Sequence, residues 1–303
     1  MKKVSNFEEL VSAFYPELVG RVKQVIEESE RLYIREKGQT IDAGESFLWQ
    51  HTREVAAVAL RLAVAEGVDP LLPVTAALFH DIGKFTGGRY HADDIPEEEE
   101  AAGMAREMLE AAGMPEDHMV EVVGGLESLY NENVESNYTA DIVHDADFLC
   151  KFGFLGAAHF FQKAALRGRP LQRAVLRDLS KELTYAACLP ANMRNAAAGK
   201  MAAKKRDDSL TFFRGLLQEL RDTGVGDYKV EVIEWKPPQE PTTGIEVRLV
   251  IPSACEGCGS GLKVDFSTER GIKCRKLRAD VRCRGCGHSY DISFCLPEVK
   301  IKR

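Results

Sequence analysis

Apolar residues recur three and four positions apart through most of the chain, and at every second position in its final quarter. The first pattern predicts helix over 7–36. Positions 51, 55, 58, 59 and 62 then share one helical face, with His51 beside the stripe of Val55, Val58, Ala59 and Leu62. Asp69-Pro70 reads as a cap followed by proline at the first helical position. The apolar run Leu71–Phe79 reads as a buried helix ended by Gly83. Further helices are predicted over 97–112, 117–130, 138–151, 154–167, 171–187 and 200–221. At Thr223-Gly224-Val225-Gly226-Asp227 the texture changes. Residues 228–235 are strand-like, Lys236-Pro237-Pro238 makes a stiff turn, and period-2 alternation follows over 245–251 and 262–266. The expected architecture is a multidomain chain: an all-α helical bundle over 1–225, then a small β-rich domain over 226–303.

Composition sharpens this outline. An apolar fraction of 45% supports a real buried core. No run approaches the roughly 18 apolar residues of a membrane span. The start, Met1-Lys2-Lys3-Val4-Ser5-Asn6-Phe7-Glu8-Glu9, turns acidic where an export signal would be apolar. A cytoplasmic protein with no membrane partner is expected. The net charge of −7 argues against generic nucleic-acid binding. Yet 163–206 holds eleven basic residues against Asp178 and Glu182, a local charge of +9. Such a stretch is either a solvated helix face or an attractor for an anionic ligand.

Candidate chemistry gathers at His51, at His80-Asp81-Ile82-Gly83-Lys84 and at Asp145-Ala146-Asp147-Phe148-Leu149. Each histidine or aspartate lies in or against an apolar helical pattern. A buried carboxylate is costly unless a cation compensates it, and one shared divalent ion would serve His51, His80, Asp81 and Asp147 together. Two imidazoles and two carboxylates suit Mn, Fe, Co, Ni or Mg, with waters in the remaining positions.

The segments Leu48-Trp49-Gln50-His51-Thr52-Arg53-Glu54-Val55, Ala76-Ala77-Leu78-Phe79-His80-Asp81-Ile82-Gly83-Lys84 and Asp145-Ala146-Asp147-Phe148-Leu149 resemble the signature of the HD-domain metal-dependent phosphohydrolase superfamily, over about 48–151. The resemblance implies an all-α fold in which these four residues ligate one metal. It also implies hydrolysis of a phosphate ester, of a nucleotide or related phosphorylated compound, by a metal-bound water. Asp81 would both ligate and orient the attacking water. Lys84 would meet a phosphate, and Arg53 is either a substrate contact or a surface ion pair. Two-metal members carry extra histidines after the His-Asp pair. Here that stretch offers His91 and His118, with Glu98 near the first such place, so one metal is expected and His91 is a substrate contact or second-metal ligand. Arg194, Lys200, Lys204 and Lys205 of the basic stretch are expected to line the approach of the substrate.

Six of the eight cysteines fall in the last fifth of the chain. Cys255-Glu256-Gly257-Cys258-Gly259 and Cys283-Arg284-Gly285-Cys286-Gly287 are two Cys-x-x-Cys-Gly knuckles. Two such turns supply four thiolates in a tetrahedron, the closed structural zinc arrangement, and with strand 262–266 between them they predict a zinc ribbon. Cys274, Cys295 and His288 are expected to stay outside the coordination sphere. Lys273, Arg275, Lys276, Arg278, Arg282 and Arg284 would give the ribbon a basic face for nucleic acid or protein, or merely a solvated surface. The leading expectation is therefore a hydrolase. The alternative is a ligand-sensing or nucleic-acid-associated HD module with the ribbon as binding element.

Overall fold

The computed structural model describes residues 6–36, 46–88, 96–131, 134–166, 168–169, 171–224, 229–235, 244–250, 255, 258–260, 262–270, 274–287 and 289–297. The chain forms two compact units: 1–150 with 194–198, and 151–193 with 199–303.

Among the described residues of the first unit, every regular element is a helix. It contains α1 (Phe7–Phe14), α2 (Leu18–Glu36), α3 (Phe47–Glu66), α4 (Leu71–Phe79), α5 (Glu97–Ala111), α6 (Glu116–Ser128) and α7 (Tyr138–Cys150). The single helix expected over 7–36 is broken at Tyr15-Pro16, because proline has no N–H to donate and restricts the residue before it. Helix α4 packs against α3, α5, α6 and α7, and α3 packs against α7. Leu62, Leu78, Phe79, Ile82, Leu126, Ile142 and Leu149 are fully buried among these helices. The N-terminus of α3 is fixed twice: Trp49 N donates to Ser46 Oγ at 2.9 Å, and Leu48 N donates to the buried Glu30 carboxylate at 3.1 Å. Its end turns on Gly67 at φ 74°, a left-handed conformation that suits a residue without Cβ. At the start of α4, Asp69 accepts from Leu71 N at 3.0 Å, as the Asp-Pro pair predicts. Asn137 does the same for α7, accepting from Ala140 N at 2.8 Å.

The second unit holds α8 (Gly153–Leu166), α9 (Leu171–Asn192) and α10 (Ala196–Asp222, whose first residues belong to the first unit), with five strands. Ala157, Leu179, Leu183, Phe213 and Leu217 form its helical core, with Phe160 and Phe161 against them. Strands β1 (Lys229–Trp235) and β2 (Gly244–Val250) make an antiparallel pair. Strands β3 (Leu262–Arg270), β4 (Cys274–Cys283) and β5 (Ser289–Pro297) make an antiparallel sheet in that order. Helix α9 packs against β2 and β5. The change of texture at 223–228 thus falls inside this unit. Strands β4 and β5 lay outside the sequence expectation: Cys-Arg-Lys-Leu-Arg-Ala-Asp-Val-Arg-Cys is too charged to announce itself as a central strand.

Candidate metal centre

Two helices and one turn build the site. Helix α3 carries His51 one turn past its double cap, the turn after α4 carries His80, Asp81 and Lys84, and α7 carries Asp147. Gly83 lets this turn close on α5, where an added Cβ would come 3.2 Å from Glu100 Cβ and Cγ. One ligand atom from each of His51, His80 and Asp81 lies within 4.8 Å of the other two. Asp147 joins through His51, whose Nε2 stands 3.1 Å from Asp147 Oδ1 and 3.7 Å from Asp81 Oδ2. His80 Nε2 is 3.6 Å from Asp81 Oδ2, and the two imidazole centroids are 5.4 Å apart.

His80 supplies the test of whether these residues fit a cation. Its Nδ1 lies 2.7 Å from the Ala77 carbonyl oxygen and donates to it, which leaves the lone pair on Nε2. That Nε2 is buried and has no hydrogen-bond partner. A buried nitrogen is seldom left unmatched, and here it stands 3.6 Å from the nearly buried Asp81 carboxylate. A divalent ion matches the donor set. Burial, the largest influence, pushes the His51 imidazole down to about 4 against the opposing pull of Asp147, so it is neutral and able to ligate. Burial alone would raise the Asp81 carboxyl, but Lys84, His80 and His51 together outweigh it and hold the group well below the usual carboxylate range. Lys84 is the closest of these, with Nζ 2.6 Å from Asp81 Oδ2.

Tyr130 completes the arrangement and was not singled out in the sequence. Its hydroxyl donates to Asp147 Oδ2, on the opposite oxygen from His51. Burial first, and then the charge of Asp147, raise this phenol well above its ordinary value, so it stays a donor. Nothing in the local sequence marks Tyr130, which follows α6 as one more apolar-patterned position. Asp145 also acquires a definite task. Fully buried, it accepts from Arg194 N at 3.0 Å, Asn195 N at 2.8 Å, Asn195 Nδ2 at 2.9 Å and His144 Nδ1 at 3.0 Å. It ties residues 194–195 to α7.

The expected substrate residues are distributed as follows. Arg53 meets Glu8 Oε1 at 3.3 Å on the surface. Arg194 Nη1 is 2.9 Å from Asp141 Oδ1, and its Nη2 donates to the Leu129 carbonyl at 3.3 Å. Lys200 is exposed on α10, Lys204 pairs with Asp208 at 2.6 Å, and Lys205 donates to the Phe152 carbonyl at 3.1 Å. His91 lies outside the described residues.

In the second unit Cys255, Cys258, Cys283 and Cys286 bring their sulfurs within 4.8 Å of one another. Cys255 and Cys286 are 3.7 Å apart, Cys258 and Cys283 3.4 Å, too far for the roughly 2.05 Å of a disulfide. A tetrahedron with metal–sulfur bonds of about 2.3 Å has edges near 3.8 Å, so the spacing fits a shared ion. Gly259 and Gly287 turn the knuckles at φ 68° and 72°. A Cβ on Gly285 would overlap Ser260 Oγ, so the two knuckles close only around a glycine. Hydrogen bonds from Ser260, its side chain foremost, pull the Cys258 thiol down to about 6, and the Cys286 and Gly285 amides lower Cys283. Both favour the thiolate that a metal takes.

Residues 48–147 match the model of the HD domain. No curated protein matches the chain. Among solved structures, the chain is similar to a predicted HD superfamily hydrolase from an uncultured Thermotogales bacterium (20% identity, 66% of this chain and 91% of that one, TM-score 0.46). It is similar also to Bacillus subtilis YpgQ in complex with ADP (19% identity, 68% and 96%, TM-score 0.48). A third is an HD-superfamily hydrolase from Bacillus thuringiensis (21% identity, 67% and 97%, TM-score 0.45). The matched stretch, with the paired histidines and carboxylates it encloses, identifies residues 48–147 as an HD domain.

Proposed function

We propose that the chain is a metal-dependent phosphohydrolase, with His51, His80, Asp81 and Asp147 as the ligands of one divalent ion. The observation that carries this reading is the buried, partnerless Nε2 of His80 beside Asp81 and His51. When bound, Mn, Fe, Co, Ni or Mg supplies Lewis acidity toward the attacking water and a phosphoryl oxygen. The chain's own groups do the rest. His51 and His80 would offer their Nε2 atoms, and Asp147 the oxygen that faces His51. Asp81 would both ligate the ion and orient the attacking water. Lys84 now neutralises Asp81 at 2.6 Å. With a cation held at Asp81, the partly exposed Lys84 ammonium would be the group of this chain placed to meet a substrate phosphate, since phosphoryl transfer needs charge neutralisation.

A nucleotide or related phosphorylated compound is the substrate class we favour, because a sequence stretch with a local charge of +9 over 163–206 suits an anionic ligand. Arg53, His91, Arg194, Lys200, Lys204 and Lys205 are the candidates. Arg53, Arg194 and Lys204 must exchange their carboxylate partners to serve. We further propose that Cys255, Cys258, Cys283 and Cys286 hold a structural zinc, that residues 226–303 form a ribbon around it, and that the hydrolase lies within 1–225. The ribbon is our candidate for contact with nucleic acid or a protein.

Phosphomonoester, phosphodiester and nucleotide substrates, tried with Mn, Ni, Co and Mg on chelator-treated protein, test the reading. Hydrolysis should appear only with added metal. His80→Ala and Asp81→Ala should lower it by more than the ~10–100-fold typical of lost outer-shell partners. One zinc per chain should survive dialysis in both variants. Metal-independent hydrolysis, or full activity in either variant, would overturn the assignment.

A further inference from the structure

Resting on the metal-site reading above, we infer that Tyr130 is a positioning residue: its hydroxyl holds one oxygen of Asp147, so that the carboxylate meets the ion through the other oxygen alone. Asp147 is nearly fully buried and sits between two elements. His51 Nε2 stands at Oδ1, 3.1 Å away, and the Tyr130 hydroxyl donates to Oδ2. The His51 side is also the side on which Asp81 stands, 3.7 Å from the same nitrogen. Oδ1 therefore faces the cluster of ligand atoms, and the phenol occupies the oxygen turned toward α6.

A carboxylate free to rotate in such a site could bind an ion with one oxygen or with both, and would consume two coordination positions in the second case. With Oδ2 engaged by Tyr130, Asp147 consumes one, and a further position is left to a water or a substrate oxygen. The phenol is itself held in place. Its ring lies 5.9 Å from that of His144 and 6.3 Å from that of Phe148, both on α7, and His144 stacks on Phe148 at 4.6 Å. His144 is in turn fixed by Asp145 at 3.0 Å. The group that sets the rotation of Asp147 thus belongs to a packed cluster. This is how outer partners of metal ligands act generally: they fix orientation before the ion arrives.

Tyr130→Phe in the full chain tests the inference, with Mn affinity read by calorimetry on chelator-treated protein. The variant should fold, with a far-UV melting curve close to that of the parent, and bind Mn about 10–100-fold more weakly. Asp147→Ala should lose Mn binding more severely. In the Asp147→Ala background Tyr130→Phe should have no further effect on Mn, because the phenol acts only through the carboxylate. Tyr130→Ala, which also removes the ring, should match Tyr130→Phe in metal affinity while melting lower. A parent-like Mn affinity in Tyr130→Phe, alongside loss in Asp147→Ala, overturns the role of Tyr130 and leaves the site intact. Parent-like Mn binding in Asp147→Ala instead overturns the four-ligand site itself.

Discussion

The protonation of His51 sets how far into acid the site remains usable. Its folded value, about 4, lies below the 6.5 of an unperturbed imidazole. Between those values the unfolded chain takes up the proton and the folded chain does not. The stability that depends on a neutral His51 is therefore fully present above pH 6.5 and is lost as pH falls toward 4. Asp81 is depressed as well, but its contribution is present above the ordinary value of 3.8 and drains only below it. The two windows can be separated. Urea midpoints of metal-free protein should decline from pH 6.5 to 4.5, and His51→Asn should flatten that decline while leaving the fall below pH 4. An unchanged slope in the variant would place the titrating group elsewhere.

At the scale of elements, the site depends on how closely helices α6 and α7 approach, since one leads to Tyr130 and the other carries Asp147. Two adjacent glycines on α6 separate packing from propensity. A Cβ at Gly125 would come 2.9 Å from Thr139 Cγ2 and 3.2 Å from Asn137 Oδ1, at the start of α7. At Gly124 the nearest atom is Asn137 Nδ2 at 4.0 Å. Gly125→Ala should push the helices apart and cost about 1–3 kcal/mol. Gly124→Ala should be neutral or stabilise by about 0.5–1 kcal/mol, as alanine does in an open helical position. Thermal melts of the two variants provide the comparison, and equal behaviour would show that α6 and α7 are not in close register there.

At the scale of the whole chain, the four proposed ligands and Lys84 all lie in the first unit, whereas α9 packs against β2 and β5 in the second. Truncation after residue 225 should therefore keep metal-dependent hydrolysis, measured per folded molecule, and lower the melting temperature of the helical signal as α9 loses both strands. Activity lost with helicity intact would mean that the strands help to build the site. Among the described residues no helix is long and apolar enough to cross a membrane.

The sequence by itself determined the elements with strong period and the residues whose cost demands a partner. Helices α4 to α8 lie within two residues of the spans marked out by apolar spacing or, for α4, by an unbroken apolar run, and His80-Asp81 stood out because ionisable groups interrupt that run without an evident reason to be buried. The cysteine knuckles were legible because their chemistry depends on short-range spacing. Local spacing could not reveal which groups meet across elements. Tyr130 reaches Asp147 from seventeen positions away, and Asp145 collects the amides of residues 194–195 from some fifty away. Each of these positions looks ordinary in its own segment, as an aromatic just past α6 or a carboxylate two residues from a proposed metal ligand. Arg194 looked like a free cation because its carboxylate, Asp141, lies 53 positions off. Hydrophobic period decides which face of a helix is buried, but only the packing of α6, α7 and the 194–198 segment decides which polar groups that burial brings into reach.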